Sequence, residues 1–105
     1  SEAEPLYRRA LSIDETSYGP NHPEVARDLN NLAGLLNATN RLSEAEPLSR
    51  RSVEILVQFQ QQTGHKHPRF ERFLGRYRSI LESLGLDAAA TESRLRSLLE
   101  PLNPE

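Results

Sequence analysis

The sequence predicts an all-helical chain folded as successive antiparallel hairpins. Three observations carry that prediction. The hexapeptide SEAEPL at residues 1–6 recurs at residues 43–48, 42 positions later. Apolar residues within each unit recur at helical spacing. Two short clusters rich in Gly, His and Pro, at residues 19–23 and 64–68, separate the helical runs. The first match extends through Arg8 and Arg9 onto Arg50 and Arg51, Leu11 onto Val53, and Ile13 onto Ile55. The loop match is offset by 45 positions, so the second copy carries three more residues near 60–62, and Leu29, Leu32 and Leu36 then align with Leu74, Tyr77 and Leu81.

Five helices follow in order, at residues 2–18, 23–39, 43–62, 67–84 and 88–100. In the first, Ser1 with Glu4 forms a capping-box pattern and Pro5 lies in the first turn, where a missing backbone donor does least harm. Gly19 follows the run, where a left-handed C-terminal cap is wanted. The second opens on Pro23 and carries the stripe Val25, Leu29, Leu32, Ala33, Leu36. The third repeats the capping box as Ser43 with Glu46, places Pro47 in or next to its first turn, and buries a stripe from Ala45 through Leu48, Ser52, Val53 and Leu56 to Phe59 before Gly64. The fourth opens on Pro68. Gly85 and Asp87 break it, and Leu95, Leu98, Leu99 and Leu102 restore an apolar stripe until Pro101 and Pro104 end the fifth. Leu29, Leu32, Leu36, Leu48, Ile55, Leu74 and Leu81 are expected in the core. Ala3, Leu6 and Ala10 are expected on an uncovered face of the first helix. No strand is expected.

Composition narrows the chemistry. With 105 residues, 36% hydrophobic and 27% charged, one domain is expected. Three Phe, three Tyr and no Trp leave the core to Leu, Ala, Val and Ile. The absence of Cys removes disulfides, thiolate metal sites and a Cys nucleophile, and fits a reducing, cytoplasmic setting. No stretch approaches the roughly 18 consecutive apolar residues of a membrane span. A net charge of −2 provides no general attraction to nucleic acid or anionic lipid. The chain has no Met and opens within a repeat, so it is expected to be a piece of something longer.

The segment VARDLNNLAGLLNATNRLSEAEPLSRRSVEIL, residues 25–56, resembles one complete tetratricopeptide repeat, in the 42-residue form found in kinesin light chains. Leu29, Leu32, Ala33 and Leu36 match the family pattern on a first helix and Ala45 the small residue on a second; small residues there let antiparallel helices approach closely. Ser49 departs from the usual aromatic, which Tyr7 supplies in the preceding copy. The resemblance implies a right-handed solenoid in which residues 1–19 are the second helix of a truncated repeat, 23–62 a complete repeat, 67–84 the first helix of a terminal repeat, and 88–100 a divergent cap. Arg78 stands where the complete copy has Ala33, so the array is expected to end there.

The resemblance also implies function: first helices of successive repeats line a concave groove that binds a protein or peptide, with no cofactor and no catalysis. By carry-over, Arg27, Asn30, Gly34, Asn37 and Ala38 face it. Asn30 suits a peptide backbone, since its amide both donates and accepts; the alternative is a packing role for Asn30 and Asn31. Residues 64–78 hold Lys66, Arg69, Arg72, Arg76 and Arg78 against one acid, Glu71. Arg69, Arg72 and Arg76 share a helical face, which points to an acidic ligand, with a solvated surface stripe as the alternative. Phe70, Phe73 and Tyr77 read as core contacts. His22, His65 and His67 invite a metal reading, but His22 and His67 each precede a helix-opening Pro, which explains their recurrence. Asn37-Ala38-Thr39 fits a glycosylation acceptor at a helix end, with no secretory signal to support it. A rival function is a sensor or assembly segment of a larger signalling protein. Self-association through the uncovered first helix is also expected.

Overall fold

The computed structural model describes residues 2–103. Helices α1 (Ala3–Tyr18), α2 (Pro23–Ala38), α3 (Leu42–Thr63), α4 (Phe70–Ser83) and α5 (Ala88–Leu99) follow in chain order, and a 3-10 turn at Glu100–Leu102 closes the described chain. There is no strand among the described residues. α2 packs on both α1 and α3, α3 packs on α4, and α2 also meets α4. Short connections between helices this long turn each one back on its predecessor. The Cα envelope measures 44 × 34 × 17 Å. Its thin dimension fits two layers of helices about 10 Å across. The stacked hairpins therefore place α1 and α3 in one layer and α2 and α4 in the other.

The joints explain the recurrence of histidine. His22 Nδ1 accepts the Glu24 backbone N–H at 3.0 Å, and His67 Nδ1 accepts the Arg69 N–H at 3.1 Å. His22 thereby caps α2, the task that Ser or Asp usually performs, whereas His67 braces the turn that precedes α4. Gly64 adopts the left-handed conformation, φ 78° and ψ 6°, and its N–H reaches Gln60 O at 2.8 Å. Gly19 also has positive φ, at 89°, but its ψ of 163° directs the chain outward in an extended form instead of closing a left-handed cap. Asp87 opens α5 by accepting the Ala90 N–H at 2.8 Å.

Several expectations are corrected. α4 begins at Phe70 and not at 67, because His67-Pro68-Arg69 is spent on a turn closed by Phe70 N–H to His67 O at 3.0 Å. α3 begins one residue early, at Leu42, so Ser43 lies inside the first turn and forms no capping box. Arg41 precedes that helix, and its guanidinium holds Glu44 at 2.8 Å and Glu4 of α1 at 2.5 Å. The other expected capping box rests on Ser1, outside the described residues; its partner Glu4 is held by Arg41 and Arg8, which keep that carboxyl below its usual range. Pro47 is the sixth residue of α3, in the second turn, where it removes the donor to the Ser43 carbonyl.

Leu29, Leu32, Leu36 and Leu81 are fully buried and Ile55 nearly so, together with Ala33 and Ala45 at the close approach of α2 to α3. Leu48 and Leu74 are only partly buried. In α4 the inward arc is Phe70, Phe73, Tyr77, Ile80 and Leu81. The large Phe73 and Tyr77 rings fill the space against α3, which leaves Leu74 at the rim. Arg78 is partly exposed and forms an ion pair with Glu92 of α5, so its long side chain holds α5 by charge where Ala33 admits a close neighbour. Arg51 of α3 reaches Glu15 of α1 at 2.8 Å.

Candidate peptide-binding face

The outward residues of α2 and α4 form one continuous face because these helices lie side by side. At its centre, Arg76 of α4 crosses onto α2. A Cβ placed on Gly34 would lie 1.8 Å from Arg76 Nη1, so the guanidinium rests on bare backbone that only glycine provides. Arg72, one helical turn away, lies with its guanidinium 5.6 Å from the centre of the Phe73 ring. Neither Arg72 nor Arg76 has an ion-pair partner among the described residues. The other basic residues of that segment are engaged. Lys66 holds Glu71 at 2.6 Å, Arg69 lies 4.0 Å from Glu24, and Arg78 holds Glu92.

The carried-over residues of α2 are placed unequally. Arg27 is surrounded by Glu24, Asp28 and Asp14 at 3.0, 3.6 and 3.7 Å, so its charge is spent within the protein. Asn30 is 3% exposed and its Oδ1 has no hydrogen-bond partner. Asn37 is partly buried and Ala38 is exposed at the end of α2. The structure thus brings Gly34 and Arg76 together, places Arg72 beside them, and sets Arg27 and Asn30 into internal contacts.

A cleft lies elsewhere. About 720 Å³ in volume, it runs along the α3 stripe Glu46, Arg50, Glu54 and Gln58 and is walled by Arg94 and Leu98 of α5. At its floor Tyr77 Oη donates to Glu46 Oε2 at 2.9 Å; burial, then that carboxylate, push the phenol up to about 12. Arg50 lies 3.6 Å from the same Glu46. Acids and bases alternate along this cleft, whereas Arg72 and Arg76 on the α2–α4 face have no acidic partner. Sequence reasoning did not find it, since it depends on how α5 stands away from α3.

Residues 1–56, more than half of the chain, match the family model for the tetratricopeptide repeat. The chain belongs to the tetratricopeptide repeat family. No curated protein and no solved structure matches it. The match covers α1, α2 and most of α3, the part in which the 42-residue repeat is clearest. As a tetratricopeptide repeat domain the chain is a protein-interaction module. None of its described helices is long and apolar enough to cross a membrane.

The seat of Arg76 gives a direct prediction. Replacing Gly34 with Ala favours the helix by up to about 1 kcal/mol. The new methyl meets only the far end of a flexible side chain, which can move aside. The expected result is a tetratricopeptide domain of equal or higher melting temperature in which the Arg76 side-chain NMR signals shift. A substantial loss of stability, with those signals unchanged, would mean that Gly34 is needed for backbone packing and not for seating Arg76.

Proposed function

We propose that this tetratricopeptide segment, of the 42-residue kinesin-light-chain-like form, binds an acidic peptide of a partner protein on the α2–α4 face, in the cytoplasm. The observation that carries the reading is a pair of arginines one turn apart, free of internal acids, one of them held across two neighbouring helices over Gly34. Arg guanidinium groups offer forked donors that match carboxylates. Asn37 adds an amide on the same face, and the unpartnered Oδ1 of Asn30 lies beneath it. Arg27 contributes by tying α1 to α2. Screening peptides of graded charge against the intact chain tests this reading: acidic sequences bind and basic ones do not, and a preference for basic or neutral sequences would contradict it.

The rival reading, a sensor or assembly segment of a larger signalling protein, is favoured by the outer face of α1. Leu6 is 64% exposed and Ile13 54% exposed. Their repeat counterparts in α3 are Leu48, partly buried, and Ile55, buried. An uncovered apolar face of this kind tends to find a partner. The chain is expected to self-associate through α1 at high concentration, and the pair Leu6→Glu and Ile13→Glu to keep it monomeric in sedimentation velocity. Identical concentration dependence in the wild type and the pair would remove α1 from the contact.

A further inference from the structure

The two seams between successive hairpins differ at equivalent positions. Under the repeat offsets, Asp14 of α1 corresponds to Leu56 of α3, and Asp28 of α2 corresponds to Phe73 of α4. Leu56 and Phe73 are fully buried in one apolar cluster. The α1–α2 seam therefore carries two carboxyl groups where the α3–α4 seam carries a Leu and a Phe.

Asp28 is 4% exposed, and its Oδ2 has no hydrogen-bond partner. Arg27 Nη2 lies 3.6 Å from Asp28 Oδ1 and 3.7 Å from Asp14 Oδ2, so one guanidinium serves both acids while also holding Glu24 at 3.0 Å. The carboxyl groups of Asp14 and Asp28 thus converge on the same guanidinium nitrogen, with Asp28 buried between α1 and α2. An ionised carboxylate only accepts, so the two can bond to each other only if one carries a proton, and the unpartnered Asp28 Oδ2 is free to hold it. Like-charged carboxylates in one site resist double ionisation.

We propose that the α1–α2 seam is a proton-operated joint, in which one proton held between Asp14 and Asp28 docks α1 onto α2 and its loss loosens α1. The groups facing Asp28 are few. Asp14 approaches from α1, and Arg27 from α2 itself; Glu24 lies on the far side of Arg27, and Arg69, just before α4, reaches only Glu24. Among the described residues no charged group of α3 or α4 is within ion-pair distance of Asp28. Tyr18 and His22 stack at 4.4 Å where α1 turns into α2.

Burial first, and Asp14 second, push the Asp28 carboxyl up to about 7 from an ordinary value near 3.8, while Arg27 opposes them. The sign follows. The docked state holds a proton that the undocked chain releases, so docking is tightest at the acidic end and is lost as pH rises from about 4 to about 7, by at most tenfold per pH unit. His67, whose pKa burial pushes down, acts in the opposite sense at the α3–α4 turn. A readout local to α1 separates the two.

The test is amide hydrogen exchange of the whole chain at about pH 5 and about pH 8, corrected for intrinsic exchange, with α1 compared to α3. Protection in α1 is expected to fall by about ten- to a hundredfold at the higher pH while α3 holds, and Asp28→Asn is expected to abolish that difference. Should Asp28→Asn fail to fold, the more exposed Asp14→Asn replaces it. Carboxyl carbon shifts in the wild type provide the independent check: one of the two aspartates titrates near neutrality. Equal α1 protection at both pH values, an unchanged pH dependence in the Asn variant, or two aspartates titrating near 4 would each overturn the joint.

Discussion

Replacing Leu32 with Ala is expected to destabilise the domain by about 2 to 5 kcal/mol. Leu32 is fully buried in a cluster with Ala33, Leu36, Ala45 and Ile80, where α2, α3 and α4 meet. Deleting its isobutyl group removes transfer free energy and leaves a cavity. The cavity cannot readily close, because α2 and α3 already approach to the limit that Ala33 and Ala45 permit. Domains of this kind are stable by only about 5 to 15 kcal/mol, so the variant loses a large share of its margin. Urea denaturation measures it. Leu74→Ala, at the partly exposed rim of α4, is expected to cost clearly less. A cost for Leu32→Ala below about 0.5 kcal/mol would place that side chain outside the core, against the packing described above.

The second large effect concerns binding. Replacing both Arg72 and Arg76 with Glu is expected to weaken an acidic peptide by on the order of tenfold or more, because repulsion replaces attraction at the centre of the face. The fold should survive, since neither arginine is fully buried or paired to an acid within the protein. Part of the attraction is screened, as the Debye length is about 8 Å at physiological salt, so wild-type affinity should fall as salt rises and the salt dependence should flatten in the double variant. Titration of a short poly-glutamate peptide by calorimetry at two salt concentrations, with a circular dichroism spectrum of each protein, measures both effects. Equal affinities with equal helicity would leave the arginines as a solvated stripe.

The repeat made the fold legible. Two motifs recurring in one order, with helical spacing between them, define the hairpins before any coordinate is known, and every helix lies where the spacing puts it, within one residue at most ends. The largest miss, the start of α4, came from the turn His67-Pro68-Arg69, in which the His67 imidazole accepts the Arg69 N–H ahead of the helix. The capping box at Ser43 failed because α3 starts one residue earlier than the motif implies. At the candidate site, sequence placed Arg72 and Arg76 on one face but could not show that Arg69 lies near Glu24, or that Arg27 is consumed by three acids. Those facts depend on side chains meeting across helices. The Asp14–Asp28 pair was readable in principle: aligning the two copies position by position sets each aspartate against a core residue, and that mismatch is the signal.

The measurement that bears most directly on the α2–α4 face is an NMR titration of the isotope-labelled chain with the same poly-glutamate peptide. Shift changes are expected to concentrate on the amides of Gly34, Arg72, Gly75 and Arg76, and to disappear when both arginines are replaced. Changes concentrated instead on Glu54, Gln58, Arg94 and Leu98 would move the binding site to the α3–α5 cleft and contradict the assignment.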